Sequence, residues 1–282
     1  MTLAPGDAFE YYFEVWDNDG VHGSKSSRST KMAFRVPTLG DIAQSTDKSN
    51  KEIKDDLGQS IKDAKSLQKD LDELNKKLLN KKAMTYEDKK KLQDILKKQK
   101  DLEKKLDDIK KENSQKNQNS NSFSEEDQRI LDKQKQLEKL LDDIMTPDLQ
   151  KMLDDLQKMM DNLDKDKVQK MLDELKMTNK DIEKELDRSL ETFKRMEFDD
   201  KLQKTIDRLK DLAKEQDKLA EDTKNADTPQ EQKDIADKQD KINEEFDKLK
   251  KEMEDLDKKN KELETPNDFE NPKTDQQDIE KT

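Results

Sequence analysis

The chain has 282 residues, of which 45% are charged, 28% hydrophobic and only 4% aromatic. Its 70 acidic and 58 basic side chains leave a net charge of −12, a balance that disfavours general binding to nucleic-acid phosphates. With no cysteine there is neither a disulfide framework nor a thiolate site, and no apolar run approaches the ~20 residues a membrane helix needs.

Asp, Glu, Lys and Leu dominate, as they do in long helices and coiled coils. Intrinsic disorder is the competing reading of so polar a composition. The apolar residues decide between the two. Between positions 38 and 263, Leu, Ile, Phe and Ala recur at alternating three- and four-residue steps. A mean step of 3.5 keeps one seam of a helix turned to a partner over many turns. Acidic and basic residues are mixed at close range, giving intrahelical pairs such as Glu73 with Lys77. The expected fold class is mainly α: elongated antiparallel coiled-coil hairpins behind an N-terminal β-hairpin remnant of a β-sandwich.

Residues 1–37 differ from all that follow. They lack the apolar core of a signal peptide. Phe9, Tyr11, Phe13 and Val15 alternate with Glu10, Tyr12, Glu14 and Trp16, and Met32, Phe34 and Val36 alternate again after a polar loop. This predicts a β-hairpin. A lone hairpin is marginal in water, and Pro5-Gly6-Asp7 followed by alternating aromatics resembles the last strands of an immunoglobulin-like sandwich. The chain is therefore read as an excerpt cut through such a domain.

A helical hairpin is expected over 38–112. Thr38 caps its first helix with Asp41 three residues on, and the seam runs through Asn50, Ile53, Leu57, Ser60, Leu67, Leu71 and Leu78. Polar seam residues make the early part weak, so a frayed segment is preferred over a register-setting role for Asn50. A break at 80–85 precedes a second cap, Thr85 with Asp88, and a helix carrying Leu92, Ile95, Gln99, Leu102, Leu106 and Ile109. So short a connection favours antiparallel neighbours. Residues 113–123, rich in Asn, Ser and Gln, read as a low-complexity linker.

A helical coiled-coil region is expected over 124–264. Ser124-Glu125-Glu126-Asp127 caps a third helix, and Thr146-Pro147 opens a fourth. Asp164-Lys165-Asp166 turns the chain into a long fifth helix, in which the spacing slips between Phe193 and Phe198. We read that slip as a local change of supercoil. Thr228-Pro229-Gln230-Glu231 is the clearest cap and opens a sixth helix through Ile235, Gln239, Ile242, Phe246, Leu249, Met253, Leu256 and Leu263. Residues 265–282 read as a disordered tail, with Ile279 as the candidate start of a further element.

Two segments carry a family resemblance. Residues 186–225, LDRSLETFKRMEFDDKLQKTIDRLKDLAKEQDKLAEDTKN, and residues 9–29, FEYYFEVWDNDGVHGSKSSRS, resemble parts of a family of large, uncharacterised bacterial proteins. Those proteins carry membrane helices near the N-terminus, strands in a domain of unknown function and then long charged helices. The two segments stand in the family order. The resemblance implies a bacterial envelope location on the periplasmic side, with membrane anchoring through regions outside this chain; it transfers no catalytic residue.

Four features invite chemistry. Asp17-Asn18-Asp19-Gly20 has oxygen donors at calcium-loop spacing, but Arg28 stands where an EF-hand needs Glu, so a turn is preferred. His22 is the only imidazole and sits in a polar hairpin loop with no plausible triad beside it. The methionines Met145, Met152, Met159, Met160, Met171 and Met177 are read as core filler rather than an adaptable groove. Seven lysines crowd residues 76–91, at what would be the hairpin tip. The expected function is a non-enzymatic structural or protein-interaction coiled coil, a spacer or scaffold without cofactor or metal, pairing with protein partners or with itself. The alternative is a module that docks on anionic membrane or polymer through the lysine-rich tip 76–91.

Overall fold

The computed structural model describes residues 3–18, 20, 21, 23–121, 128–144, 146–159 and 165–281. It is mainly α. Four short strands, β1 (Ala8–Tyr11), β2 (Glu14–Trp16), β3 (Ser26–Arg28) and β4 (Met32–Arg35), precede the helices. Those are α1 (Leu39–Leu79), α2 (Tyr86–Asn121), α3 (Gln128–Ile144), α4 (Pro147–Met159), α5 (Lys165–Lys224), α6 (Pro229–Lys261) and α7 (Lys273–Lys281). The chain forms two compact units. The first takes residues 1–56 and 107–126, the second 57–106 and 127–282, so α1 and α2 contribute to both.

In the first unit the strands make one antiparallel hairpin with a bulge. β1 pairs β4 with Phe9 opposite Phe34, and β2 pairs β3 with Val15 opposite Ser27. Two residues on one strand, Tyr12 and Phe13, face three on the other, and Phe13 N–H donates to Ser29 Oγ at 2.9 Å inside the bulge. Gly6, at φ 89°, closes the turn that leads in, its N–H reaching Val36 O at 3.2 Å. Thr38 then caps α1 as its sequence predicts: Asp41 N–H donates to Thr38 Oγ1 at 3.1 Å and Thr38 N–H to Asp41 Oδ2 at 2.9 Å.

Two expectations fail here. Residues 113–121 are not a linker but the last turns of α2. The 3-4 stripe of α2 continues from Leu106 and Ile109 through Asn113, Lys116 and Ser120, all buried. The stripe kept its period while its chemistry turned polar, and a search for apolar period lost it. Residues 122 and 123 lie outside the described residues. Likewise α1 is not frayed at its start: Asn50 is buried within a continuous helix.

The second unit is built by antiparallel helix pairing within one chain. Ion pairs Asp63–Lys105, Asp70–Lys98 and Glu73–Lys91, at 2.5–2.7 Å, set α1 against α2. Asn179 of α5 donates to Ala64 O at 2.9 Å and to Gln68 Oε1 at 3.1 Å, and Lys176 pairs with Asp72, so α5 runs antiparallel to α1. Lys100 of α2 reaches Gln157 of α4 at 2.6 Å. Lys133 of α3 pairs with Asp199 of α5. Along α6, Lys259–Glu197 at 2.7 Å, Arg208–Glu252 at 2.6 Å and a reciprocal Gln216–Gln239 amide pair at 3.0 Å fix the register with α5. Between these polar rungs lie Leu57, Leu67, Leu71, Leu74, Leu78, Leu92 and Leu256, all essentially inaccessible. Each such side chain contributes roughly 1.5–3 kcal/mol by burial.

Helix α5 shows what the spacing slip means. Val168, Leu172, Leu175, Asn179, Ile182, Leu186, Ser189, Phe193 and Met196 are buried at strict 3-4 steps. A second stripe then starts at Phe198 and runs through Leu202, Thr205, Leu209, Leu212, Gln216 and Leu219. The two-residue step from Met196 to Phe198 turns the buried face by about 200° at ~100° per residue. The helix stays unbroken and has partners on either side of the step: Asp199 takes Lys133 of α3, while Glu197, Lys201 and Arg208 pair with Lys259, Asp255 and Glu252 of α6. Phe198 sits edge-on to Phe269, ring centroids 5.7 Å apart.

Phe269 belongs to the expected disordered tail, which instead packs back and carries α7 among its described residues. Asn260 and Asn267 exchange side-chain to backbone hydrogen bonds at 2.7 and 2.9 Å, and Gln276 of α7 is buried beside Met253. The other caps hold. Asp88 N–H donates to Thr85 Oγ1 at 3.3 Å and Leu149 N–H to Thr146 Oγ1 at 3.3 Å. Thr228 and Glu231 form a full capping box. The cap expected at 124–127 and the turn residue Asp164 lie outside the described residues.

Candidate interaction surfaces

The hairpin strands alternate as their sequence predicts, and the consequence is an uncovered aromatic face. Phe9, Tyr11, Phe13 and Phe34 share one side, linked through ring contacts at 5.2–6.1 Å. The opposite side holds Glu10, Glu14 and Arg28, the last two paired at 2.9 Å, with the guanidinium 5.0 Å from the Tyr12 ring. Phe13, Val15 and Trp16 are each about two-thirds exposed. In the loop beyond, Asp17 is spent on a turn: its Oδ1 accepts from Lys25 N–H at 2.9 Å while its own N–H donates to Lys25 O at 3.0 Å. Asp19 and His22 lie outside the described residues.

A groove of about 500 Å³ opens in the first unit between the start of α1 and the end of α2. Pro37, Ile42, Thr46, Ser49, Glu112 and Gln115 are among its lining. Burial raises the pKa of Glu112; a hydrogen bond with Ser49 opposes this, but the Glu52 carboxylate beside it and Asp56 add to the rise. The buried amides nearby are poorly satisfied, for Asn50 Oδ1 and both amide atoms of Asn113 have no hydrogen-bond partner. Sequence reasoning passed over Glu112, and no spacing signal marks it out.

In the second unit the lysine cluster surrounds the turn that joins α1 to α2. Lys81 is drawn onto Asp88 at 2.6–2.8 Å, and Thr85 N–H caps the same carboxylate at 2.9 Å. Burial pushes Asp88 up, yet these hydrogen bonds outweigh it and hold the carboxyl below its usual range. Lys91 is taken by Glu73. The other five lysines, Lys76, Lys77, Lys82, Lys89 and Lys90, have no carboxylate within ion-pair distance among the described residues. Beside them stand two large side chains that the sequence did not single out as a pair: Leu79 is 63% exposed and Tyr86 81% exposed.

The methionines divide. Met152, Met159 and Met171 are half-buried at seam edges, as filler should be, but Met177 is exposed and fills nothing. Met145 and Met160 lie outside the described residues. Met196 and Met253, outside the cluster that drew notice in the sequence, are the buried ones among the described residues. No family model, curated protein or solved structure matches this chain.

Proposed function

We propose that this chain is a non-enzymatic scaffold: a helical region that holds attached parts at set separations and offers faces to protein partners. The observation that carries this is the seam itself, apolar stripes bridged by interhelical ion pairs along α1–α2 and α5–α6. Such pairing resists bending because every rung would have to break its neighbours' packing. The aromatic face of the hairpin, amphipathic and uncovered, suits completion by further strands of an immunoglobulin-like sandwich. With the resemblance of residues 9–29 and 186–225, the reading extends to a membrane-anchored protein of the bacterial envelope.

A spacer must keep a distance. Dyes placed at Lys82 and Asp227, both in the second unit, should give a single narrow energy-transfer distribution that hardly moves with salt. A broad distribution that shifts with ionic strength, as for a charged flexible chain, would sink the scaffold reading.

A further inference from the structure

We infer that the turn between α1 and α2 docks on the surface of an anionic lipid bilayer. Between residues 73 and 91 seven lysines meet three carboxylates, Glu73, Glu87 and Asp88, an excess of four positive charges in a chain of net charge −12. Two of those carboxylates are already engaged within the hairpin, by Lys91 and Lys81. The remaining lysines ring the turn, with Lys76, Lys77, Lys82 and Lys90 exposed and Lys89 half-buried.

Lysines at a helix C-terminus complement its dipole, which accounts for Lys76 and Lys77 in the last turn of α1. It does not account for Lys89 and Lys90, which stand in the first turns of α2, where the dipole disfavours cations. Nor does it account for Leu79 and Tyr86, one at the end of α1 and one at the start of α2, both turned into solvent at the same end of the pair. An aliphatic and a phenolic side chain inside a ring of cations match the boundary of a bilayer. The ring of lysines meets headgroup phosphates while Leu79 enters the acyl edge and Tyr86 sits at headgroup level. A soluble polyanion would use the lysines but has no place for Leu79. Each lysine near an anionic surface is worth about a fivefold gain in partition at physiological salt, and the attraction fades beyond a Debye length of ~8 Å.

The test is co-sedimentation of the full chain with phosphatidylcholine vesicles, plain or containing about 30 mol% phosphatidylserine, at salt of roughly 0.05 M and 0.5 M. Binding is expected only to the anionic vesicles and only at low salt. Lys82→Glu, Lys89→Glu and Lys90→Glu together should lower the partition by more than about 100-fold. Lys81 stays native because it holds the Asp88 cap. Leu79→Ser with Tyr86→Ser should lower it about tenfold, with unchanged circular dichroism. Tyr86→Trp in a Trp16→Phe background should move its emission to shorter wavelength on anionic vesicles. No binding at low salt, equal binding to neutral vesicles, or full binding by the triple lysine variant each overturns the inference. So does equally tight binding of free polyphosphate that ignores the Leu79 and Tyr86 changes; it would assign the patch to a polymer.

Discussion

Helices α1 and α2 keep one 3-4 stripe each but fill it with different chemistry in the two units. In the second unit the stripe is Leu67, Leu71, Leu74 and Leu78 on α1 and Leu92, Ile95, Leu102 and Leu106 on α2. In the first it is Asn50 and Ile53 on α1 and Ile109, Asn113, Lys116 and Ser120 on α2. Helical geometry decides which positions are covered, and composition decides only what covering them is worth. A buried Leu adds to stability, whereas a buried amide without a partner costs about 1–3 kcal/mol. Polar seam residues can select one register among many that Leu alone would tolerate.

The largest break in this comparison comes from putting charge into the apolar seam. Leu249→Asp with Leu256→Asp buries two carboxylates between α5 and α6, where both leucines are covered. Helicity should fall cooperatively, with a loss of more than about 4 kcal/mol. Unchanged circular dichroism would refute the seam. Phe198→Ala removes a ring that is buried where the second stripe of α5 begins. It should cost about 3–5 kcal/mol and release the tail packed through Phe269, seen as faster hydrogen exchange around residue 276.

The comparison sharpens with Gln99→Leu. Gln99 is buried in the apolar unit with neither amide atom hydrogen-bonded. Leucine there should raise the urea midpoint by the equivalent of about 1–3 kcal/mol. A drop in midpoint would show that the amide is satisfied by water.

The smallest effect is on pH dependence, and Glu112 of the first unit has the opposite sign to Asp63 and Asp255 of the second. The raised pKa of Glu112 means that the folded first unit favours its neutral form. Its contribution is therefore full below the ordinary glutamate value and is lost as pH rises through the folded one. Asp63 and Asp255 behave the other way. Burial pushes both up, but hydrogen bonds from Lys105 and Lys201 prevail and leave their pKa values lowered. Their contribution is present above the ordinary aspartate value and is lost as pH falls through the depressed one. Mild acidification should thus slow hydrogen exchange in residues 107–121, and stronger acidification should speed it in α6. Glu112→Gln should flatten the first response and leave the second alone.

Much of the helical part was readable in advance, and the reasons are local. Thr38, Thr85, Thr146 and Thr228 each bond a group within three residues, so their caps need no tertiary partner. The alternation of Phe9, Tyr11, Phe13 and Val15 put the aromatic side of the hairpin on view for the same reason. The surfaces were harder. Lysine crowding at 76–91 was plain, but which lysines are consumed by Asp88 and Glu73, and that Leu79 faces solvent, depend on how the turn closes. Glu112 gave no signal because its environment comes from Ser49, Glu52 and Asp56 on another helix.

The sequence by itself determined the period, the caps and the hairpin faces, since each follows from backbone geometry acting over a few residues. Tertiary structure alone decided which stripe covers which. A Leu stripe is nearly indifferent among other Leu stripes, so partner choice rests on rungs such as Asn179 on Ala64 and Gln216 on Gln239. Tertiary packing also covered α5 on both sides of its slip, and drew Asn113 and Phe269 out of segments whose composition reads as disorder. Coverage by a neighbouring helix is a property of the assembled fold, and no local window of residues contains it.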